Sequence, residues 1–175
     1  MFGYQYDGQA YSDFDINGGD DMNIQIRLAQ KTDYESVISI MSQVQDMHVE
    51  WRPDIYKHNE NLIPQDVFEK IIENDTFYVA ENNNSVVGVL EIAYRHVESP
   101  SHVTRDVIFI DTMAIDENYR GMGIGHKMFD FIKGLKKEKN LDGIELQVNA
   151  RNSAAYEMYK KYGFTEKSIN MELLD

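Results

Sequence analysis

The sequence predicts a single α/β domain built on a mixed sheet, with the element order βααβββαβαβ. Three observations carry that expectation. Stretches with apolar residues at every second position alternate with stretches whose apolar residues recur at helical spacing. The chain has 175 residues, room for one ordinary domain and not for two. Apolar residues make up 42% and charged residues 27%, the usage of a globular chain with a real core.

Taken in order, Ile24, Ile26 and Leu28 alternate with polar residues and read as a first strand. Thr32-Asp33-Tyr34-Glu35 has the Ser/Thr-x-x-Glu spacing of a capping box. It opens an amphipathic helix with Tyr34, Val37, Ile38, Met41 and Val44 on one face. A polar, aromatic loop is expected from Met47 to Ile63, holding His48, Trp51, Arg52, Asp54 and Tyr56. Pro64 suits the first turn of a second helix ending near Glu73. Thr76–Glu81 and Val86–Tyr94 are β-rich and flank Asn82-Asn83-Asn84-Ser85, the signal of a hairpin. A polar loop over 96–105 leads into a strong strand at Val107–Asp116.

After a glycine-rich turn at Arg120–Gly125, Ile124, Met128, Phe131, Ile132 and Leu135 keep one helical face, and Asn140-Leu141-Asp142-Gly143 stops that helix. Ile144–Val148 reads as a strand and Asn152–Tyr162 as a helix closed by Gly163. A final strand is expected through Phe164–Leu174.

Residues 1–21 stand apart from the domain expected over 22–175. They hold five Asp, four Gly, no Lys or Arg, and scattered aromatics without a period. They read as a disordered acidic and aromatic leader or upstream extension, with a docking lid as the competing reading. No apolar run reaches the length of a membrane span, and no basic segment followed by an apolar one opens the chain, so neither a membrane protein nor a secretory signal is expected. With no cysteine, disulfides, thiolate metal sites and cysteine nucleophiles are excluded, and a cytoplasmic location is the expectation. The net charge of −13 argues against general binding of nucleic acid and favours cationic partners. His48, His58, His96, His102 and His126 show no ligand-type pairing, so no metal is expected.

Arg120-Gly121-Met122-Gly123-Ile124-Gly125 lies between the strong strand and an amphipathic helix. Glycines there let the backbone turn tightly and present consecutive N–H groups at a helix N-terminus, where the dipole favours anions. Arg120 and five lysines from Lys127 to Lys139 make this the basic segment of an acidic chain. Two nucleotide motifs fail on spacing. His126-Lys127 follow Gly125 where a P-loop needs Lys-Ser/Thr, and Gly-x-Gly-x-Gly is not the dinucleotide fingerprint.

Asn152, Ala155 and Tyr159 share one face of the last helix, and Gly163-Phe164 close it. With these residues the chain resembles the GNAT family of N-acetyltransferases. Arg120, Gly123 and Gly125 match its Arg/Gln-x-x-Gly-x-Gly/Ala signature, and Asn152, Ala155, Tyr159, Gly163 and Phe164 match its later Asn-x-x-Ala-x-x-x-Tyr…Gly-Phe signature. Ile110–Asp116 is similar to the family's fourth strand, and the likeness in element order covers 23–174.

The resemblance implies a sheet splayed between the fourth and fifth strands, with acetyl-CoA as cosubstrate in the cleft. Its pyrophosphate would sit on the Gly121, Met122, Gly123, Ile124, Gly125 and His126 turn, beside Arg120. Its pantetheine arm would pair with the backbone of Met113, Ala114 and Ile115, and Asn152 would contact it. Without cysteine or a Gly-x-Ser-x-Gly elbow, acetyl would pass directly to a primary amine in a ternary complex. Tyr159 takes the place of the family's acid, and Asp111 that of an acceptor-side carboxylate that would hold the cation and take its proton through water as the base; where other members carry a glutamate two residues earlier, this chain has Phe109. Glu91 is the reserve base. His48 and Trp51, with the rest of their loop, would face the acceptor, a small amine or a protein or peptide amine. A homodimer is one arrangement that similar proteins adopt. A catalytically silent acyl-CoA-binding domain is the alternative reading.

Overall fold

The computed structural model describes residues 23–174; the expected leader over 1–21 lies outside the described residues. Five strands form one sheet in the spatial order β1-β2-β3-β4-β5. They are β1 (Ile24–Leu28), β2 (Phe77–Asn82), β3 (Ser85–Ser99), β4 (His102–Ile115) and β5 (Gly143–Leu146). The first four are antiparallel neighbours, and β5 joins β4 in parallel. The helices are α1 (Tyr34–Trp51), α2 (Gln65–Ile72), α3 (Ile124–Glu138) and α4 (Ser153–Lys161). None of the described helices is long and apolar enough to cross a membrane.

Strand alternation sorts the core into two layers. Phe77, Val79, Val89 and Ala114 point to one face, where they bury Val37 and Ile40 of α1 and Phe68 of α2. Tyr78, Ala80, Leu90, Ile92, Ile108 and Ile110 point to the other and bury Ile124, Met128, Phe129 and Ile132 of α3. Full burial of one such side chain contributes about 1.5–3 kcal/mol. At Gly88 a Cβ would stand 2.8 Å from Met128 Cε and 3.1 Å from the Ala114 carbonyl oxygen, so glycine lets α3 close on the sheet. Asn83 and Asn84 both take the left-handed conformation, φ 48° and 67°, that a two-residue hairpin of matching twist requires.

Several expectations are corrected. The box at the start of α1 is made by Asp33, not by Thr32 and Glu35: Asp33 donates its N–H to the Gln30 carbonyl and accepts from the Gln30 N–H at 2.7 Å. The same carboxylate takes two hydrogen bonds from Arg27, at 2.7 and 2.9 Å, and this ion pair selects it over the neighbouring polar residues. On α1 the buried residue beside Val37 is Ile40, with Ile38 half-buried. The helix runs on to Trp51, so His48 and Trp51 sit on its last turns and not in a loop. Residues 96–105 are not a polar loop: paired as Val97–Arg105 and Ser99–His102, they carry the β3–β4 hairpin past its neighbours. Polar side chains misled there because both faces of that arm meet water. Phe129, absent from the expected face of α3, is buried, and β5 stops at Leu146. The sixth strand is absent among the described residues: 165–174 lie in no helix or strand, although Ile169, Met171 and Leu173 keep its alternation.

Candidate active site

Parallel pairing between β4 and β5 covers only Val107–Ile110 against Gly143–Leu146. Past Ile110, Thr112–Ile115 keep their antiparallel bonds to β3 on one side and, among the described residues, face no strand on the other. That half of β4 is an open edge inside the molecule, and it leads through Asp116 to the glycine turn.

The turn is shaped by two left-handed residues, Gly121 at φ 77° and Gly123 at φ 78°. A Cβ at either would meet nothing within 4 Å, so glycine is required there for backbone conformation and not for space. Gly123 caps α3, its carbonyl accepting from the His126 and Lys127 N–H groups at 3.1 and 3.3 Å. Helix geometry leaves the amides before these without an intrahelical acceptor, and Gly121, Met122 and Gly123 are exposed. Gly125 is buried: a Cβ there would lie 3.5–3.6 Å from Ile115, Met113 and Met158, so the open strand edge, the helix start and α4 converge at this residue.

Arg120 does more than add charge. Its Nε donates to the Ile115 carbonyl at 3.1 Å and a terminal nitrogen to Gln43 Oε1 at 3.4 Å. Gln43 of α1 also accepts from the Glu117 N–H at 2.9 Å and donates to Asp116 at 3.2 Å. This glutamine ties α1 to the end of β4. Sequence reasoning missed it, because a polar residue on a helix carries no signal of a partner more than 70 positions away. His126 turns its ring toward Tyr162 of the α4 end, 4.7 Å between centroids. Asn152 accepts from the Ala155 N–H at 3.1 Å and so caps α4.

Tyr159 of α4 is half-buried between Phe129 and Phe164, at 5.7 and 5.9 Å. Burial pushes its phenol pKa above the ordinary value, so the group holds its proton at neutral pH. Tyr156 instead donates to Glu166 in the segment after α4.

Asp111 sits at a bulge. Glu91 pairs with Thr112 and Ile92 with Ile110, which leaves Asp111 as the extra residue on β4. Its exposed carboxylate accepts from Arg95 at 3.3 Å, and the Arg95 guanidinium lies 3.3 Å over the Phe109 ring. Glu91 is half-buried across from Thr112, and its carboxyl is raised above the ordinary range by burial and then by the neighbouring Asp111 charge. The structure therefore brings together the two acids that the sequence set on separate strands.

On α1, His48 stacks on Tyr56 at 4.9 Å and lies 5.7 Å from Trp51. Burial lowers its pKa, so the imidazole is neutral near pH 7. Arg52 holds Asp54 through Nε and a terminal nitrogen, at 2.9 and 2.6 Å, and also pairs with Glu172 of the C-terminal segment. Among the described residues no group of three or more His, Cys, Asp or Glu is placed to hold a metal ion.

Against known families, the model described as the acetyltransferase (GNAT) family matches residues 42–164. The probable N-acetyltransferase san of Drosophila melanogaster is 31% identical over 125 residues, covering 63% of this chain and 65% of that protein. Three other curated relatives are spanned over 42%, 58% and 52% of their length, so the chain spans about half the length of these three. A mutant of the BH1408 protein from Bacillus halodurans superposes with a TM-score of 0.77 at 28% identity, covering 86% of this chain and 98% of that one. The aminoglycoside N-acetyltransferase AAC(6')-Iy in complex with CoA shares the fold, with a TM-score of 0.65 at 15% identity over 91% and 98% of the two chains.

Proposed function

The chain belongs to the acetyltransferase (GNAT) family, and from that premise we propose that it transfers acetyl from acetyl-CoA directly to a primary amine. The observation that carries this reading is the open edge of β4 from Thr112 to Ile115 running into the glycine turn. An extended arm with amide groups can pair along the open edge beside Met113, Ala114 and Ile115, where Arg120 already donates to the Ile115 carbonyl. An anionic diphosphate finds the exposed amides of Gly121–Gly123 and the positive end of the α3 dipole. Both fit coenzyme A, and the fit rests on backbone geometry in this chain.

Acceptor chemistry is assigned to the other face of the sheet. An alkyl amine is protonated at neutral pH, with a pKa near 10, and must lose a proton to attack the thioester carbonyl. Asp111, solvated at its bulge, holds the cation. Glu91, its carboxyl raised by burial, accepts the proton directly or through water. Tyr159, kept protonated by burial, donates to the sulfur as coenzyme A leaves as a thiol, and the phenolate recovers the second proton that the acetylated nitrogen loses. His48 and Trp51 wall the acceptor side, and the acidity of the chain steers cationic acceptors toward it. The names of related proteins, which include N-alpha-acetyltransferases and a streptothricin acetyltransferase, support an amine acceptor, either a small amine or a protein or peptide amine.

The test is coenzyme A release, read with a thiol reagent, across peptides with free N-termini, polyamines, aminoglycosides and amino acids. The chain has no cysteine and adds no thiol background. Release with one acceptor class is expected, with kcat reduced about 100-fold in Tyr159→Phe. Saturable acetyl-CoA binding without release on any amine would instead support a silent acyl-CoA-binding domain.

A further inference from the structure

Resting on the acetyl-transfer reading above, we propose that the acceptor carries a carboxylate a few bonds from its primary amine, and that Arg95 of β3 binds this carboxylate. Arg95 stands opposite Val107, and its side chain reaches along β4 to the bulge. There the guanidinium lies 3.3 Å over the Phe109 ring, and one terminal nitrogen donates to Asp111 Oδ1 at 3.3 Å. An aromatic face fixes the plane of a guanidinium without using its N–H donors. Among the described residues the bond to Asp111 is the one hydrogen bond that the Arg95 side chain makes, and the side chain is 45% exposed. The rest of its planar set of donors is open to a ligand. Two other arginines around this end of the sheet are engaged, Arg52 by Asp54 and Glu172 and Arg105 by Glu145.

Arg95 changes what the neighbouring acids can hold. With the guanidinium on Asp111, the carboxylate charge is already opposed. A plain alkylammonium arriving there meets a fixed cation beside its partner and gains little. An acceptor with its own carboxylate removes the conflict. Its ammonium lies against Asp111, its carboxylate takes parallel N–H bonds from Arg95, and the charges alternate in sign. An ion pair between exposed side chains contributes little, so a ligand opens the Arg95–Asp111 contact easily. Glu91, across from Thr112 and beside the bulge, remains to take the proton. The field of a chain with net charge −13 turns the ammonium end of such an acceptor inward. Free amino acids, and peptides beginning with Asp or Glu, share this chemistry.

Calorimetry on the full chain with coenzyme A present compares matched acceptors of similar size: β-alanine against propylamine, and Asp-Ala-Ala amide against Asn-Ala-Ala amide. In at least one pair the carboxylate member is expected to bind about tenfold more tightly or better. The pair that shows the preference tells free amino acids from peptides. Arg95→Gln, at an exposed position, is expected to remove the preference. Arg95→Lys should keep part of it, as a point charge without the planar fork. In the coenzyme A release assay the loss in Arg95→Gln should fall on acceptor KM while kcat holds, a split that a merely structural role would not give. Equal or tighter binding of propylamine and Asn-Ala-Ala amide, binding of no member of either pair, or a preference untouched by Arg95→Gln overturns the proposal. Because binding is read without turnover, a carboxylate preference with no release on any amine would overturn the acetyl-transfer reading and leave the role of Arg95 standing.

Discussion

The two sides of the cleft are built in different ways. Apart from Asn152, the side assigned to the cofactor is one unbroken stretch, Met113 to His126, whose shape follows from a strand edge and two left-handed glycines. The side assigned to the acceptor is gathered from α1, the β3–β4 pair and the C-terminal segment, and Arg52 and Glu172 meet across 120 positions of sequence. A continuous stretch keeps its form through local backbone preference. An assembled wall depends on how its carriers are anchored, and for α1 the anchors are the Asp33–Arg27 cluster at its start and Gln43 at its middle.

That contrast breaks first at Asp33. Burial opposes ionisation there, but hydrogen bonds from Arg27 and the Gln30 amide outweigh it and hold the carboxyl below its ordinary value. Asp33→Asn strips a buried charge from its partners and is expected to cost about 1–3 kcal/mol in chemical denaturation. Since the folded-state pKa is depressed, the stabilisation is present above the unfolded value of about 4 and fades as pH falls through the lower folded value. The unmodified chain should therefore lose more stability than Asp33→Asn on acidification below pH 4. Acceptor KM should rise in this variant more than CoA affinity falls.

Gly123→Val tests the opposite side. A β-branched residue held left-handed costs about 1–2 kcal/mol, so calorimetry should show CoA binding weakened by roughly tenfold, with acceptor KM little changed. If both parameters moved together, the two sides would not be separable.

A smaller effect distinguishes the two acids. Glu91 titrates above the ordinary glutamate range, so kcat/KM should rise with pH on a limb displaced upward from that range. Glu91→Gln is expected to abolish the limb. Asp111→Asn removes one neighbouring negative charge and should shift the limb to lower pH while raising acceptor KM. Loss of the limb in Asp111→Asn alone would exchange the two roles.

Legibility followed the range of the forces involved. Asn83-Asn84, the Gly121 and Gly123 turn and most of the α3 face announce themselves because each needs a particular residue at a particular backbone angle or helical spacing, whereas the Asn152 cap shows only in the structure. The bulge at Asp111 has no local mark: it exists because Glu91 and Ile92 on the opposite strand pair with Thr112 and Ile110. The polarity of 96–105 suggested a loop, and only pairing across the long hairpin makes those residues strands. Tyr159 was identifiable by motif, but its raised pKa comes from burial beside Phe129 and Phe164.

By itself, then, the sequence determined most of the alternation of strands and helices, the glycine turn and the family signatures, since these depend on conformational preferences of near neighbours. Tertiary structure alone decided where β4 and β5 part, that Glu91 and Asp111 stand as neighbours, that Arg52 meets Glu172, and that the apolar alternation of Ile169, Met171 and Leu173 forms no strand. Hydrogen-bond register and burial are properties of the assembled sheet. They depend on which distant segment arrives alongside, and local composition carries no record of that.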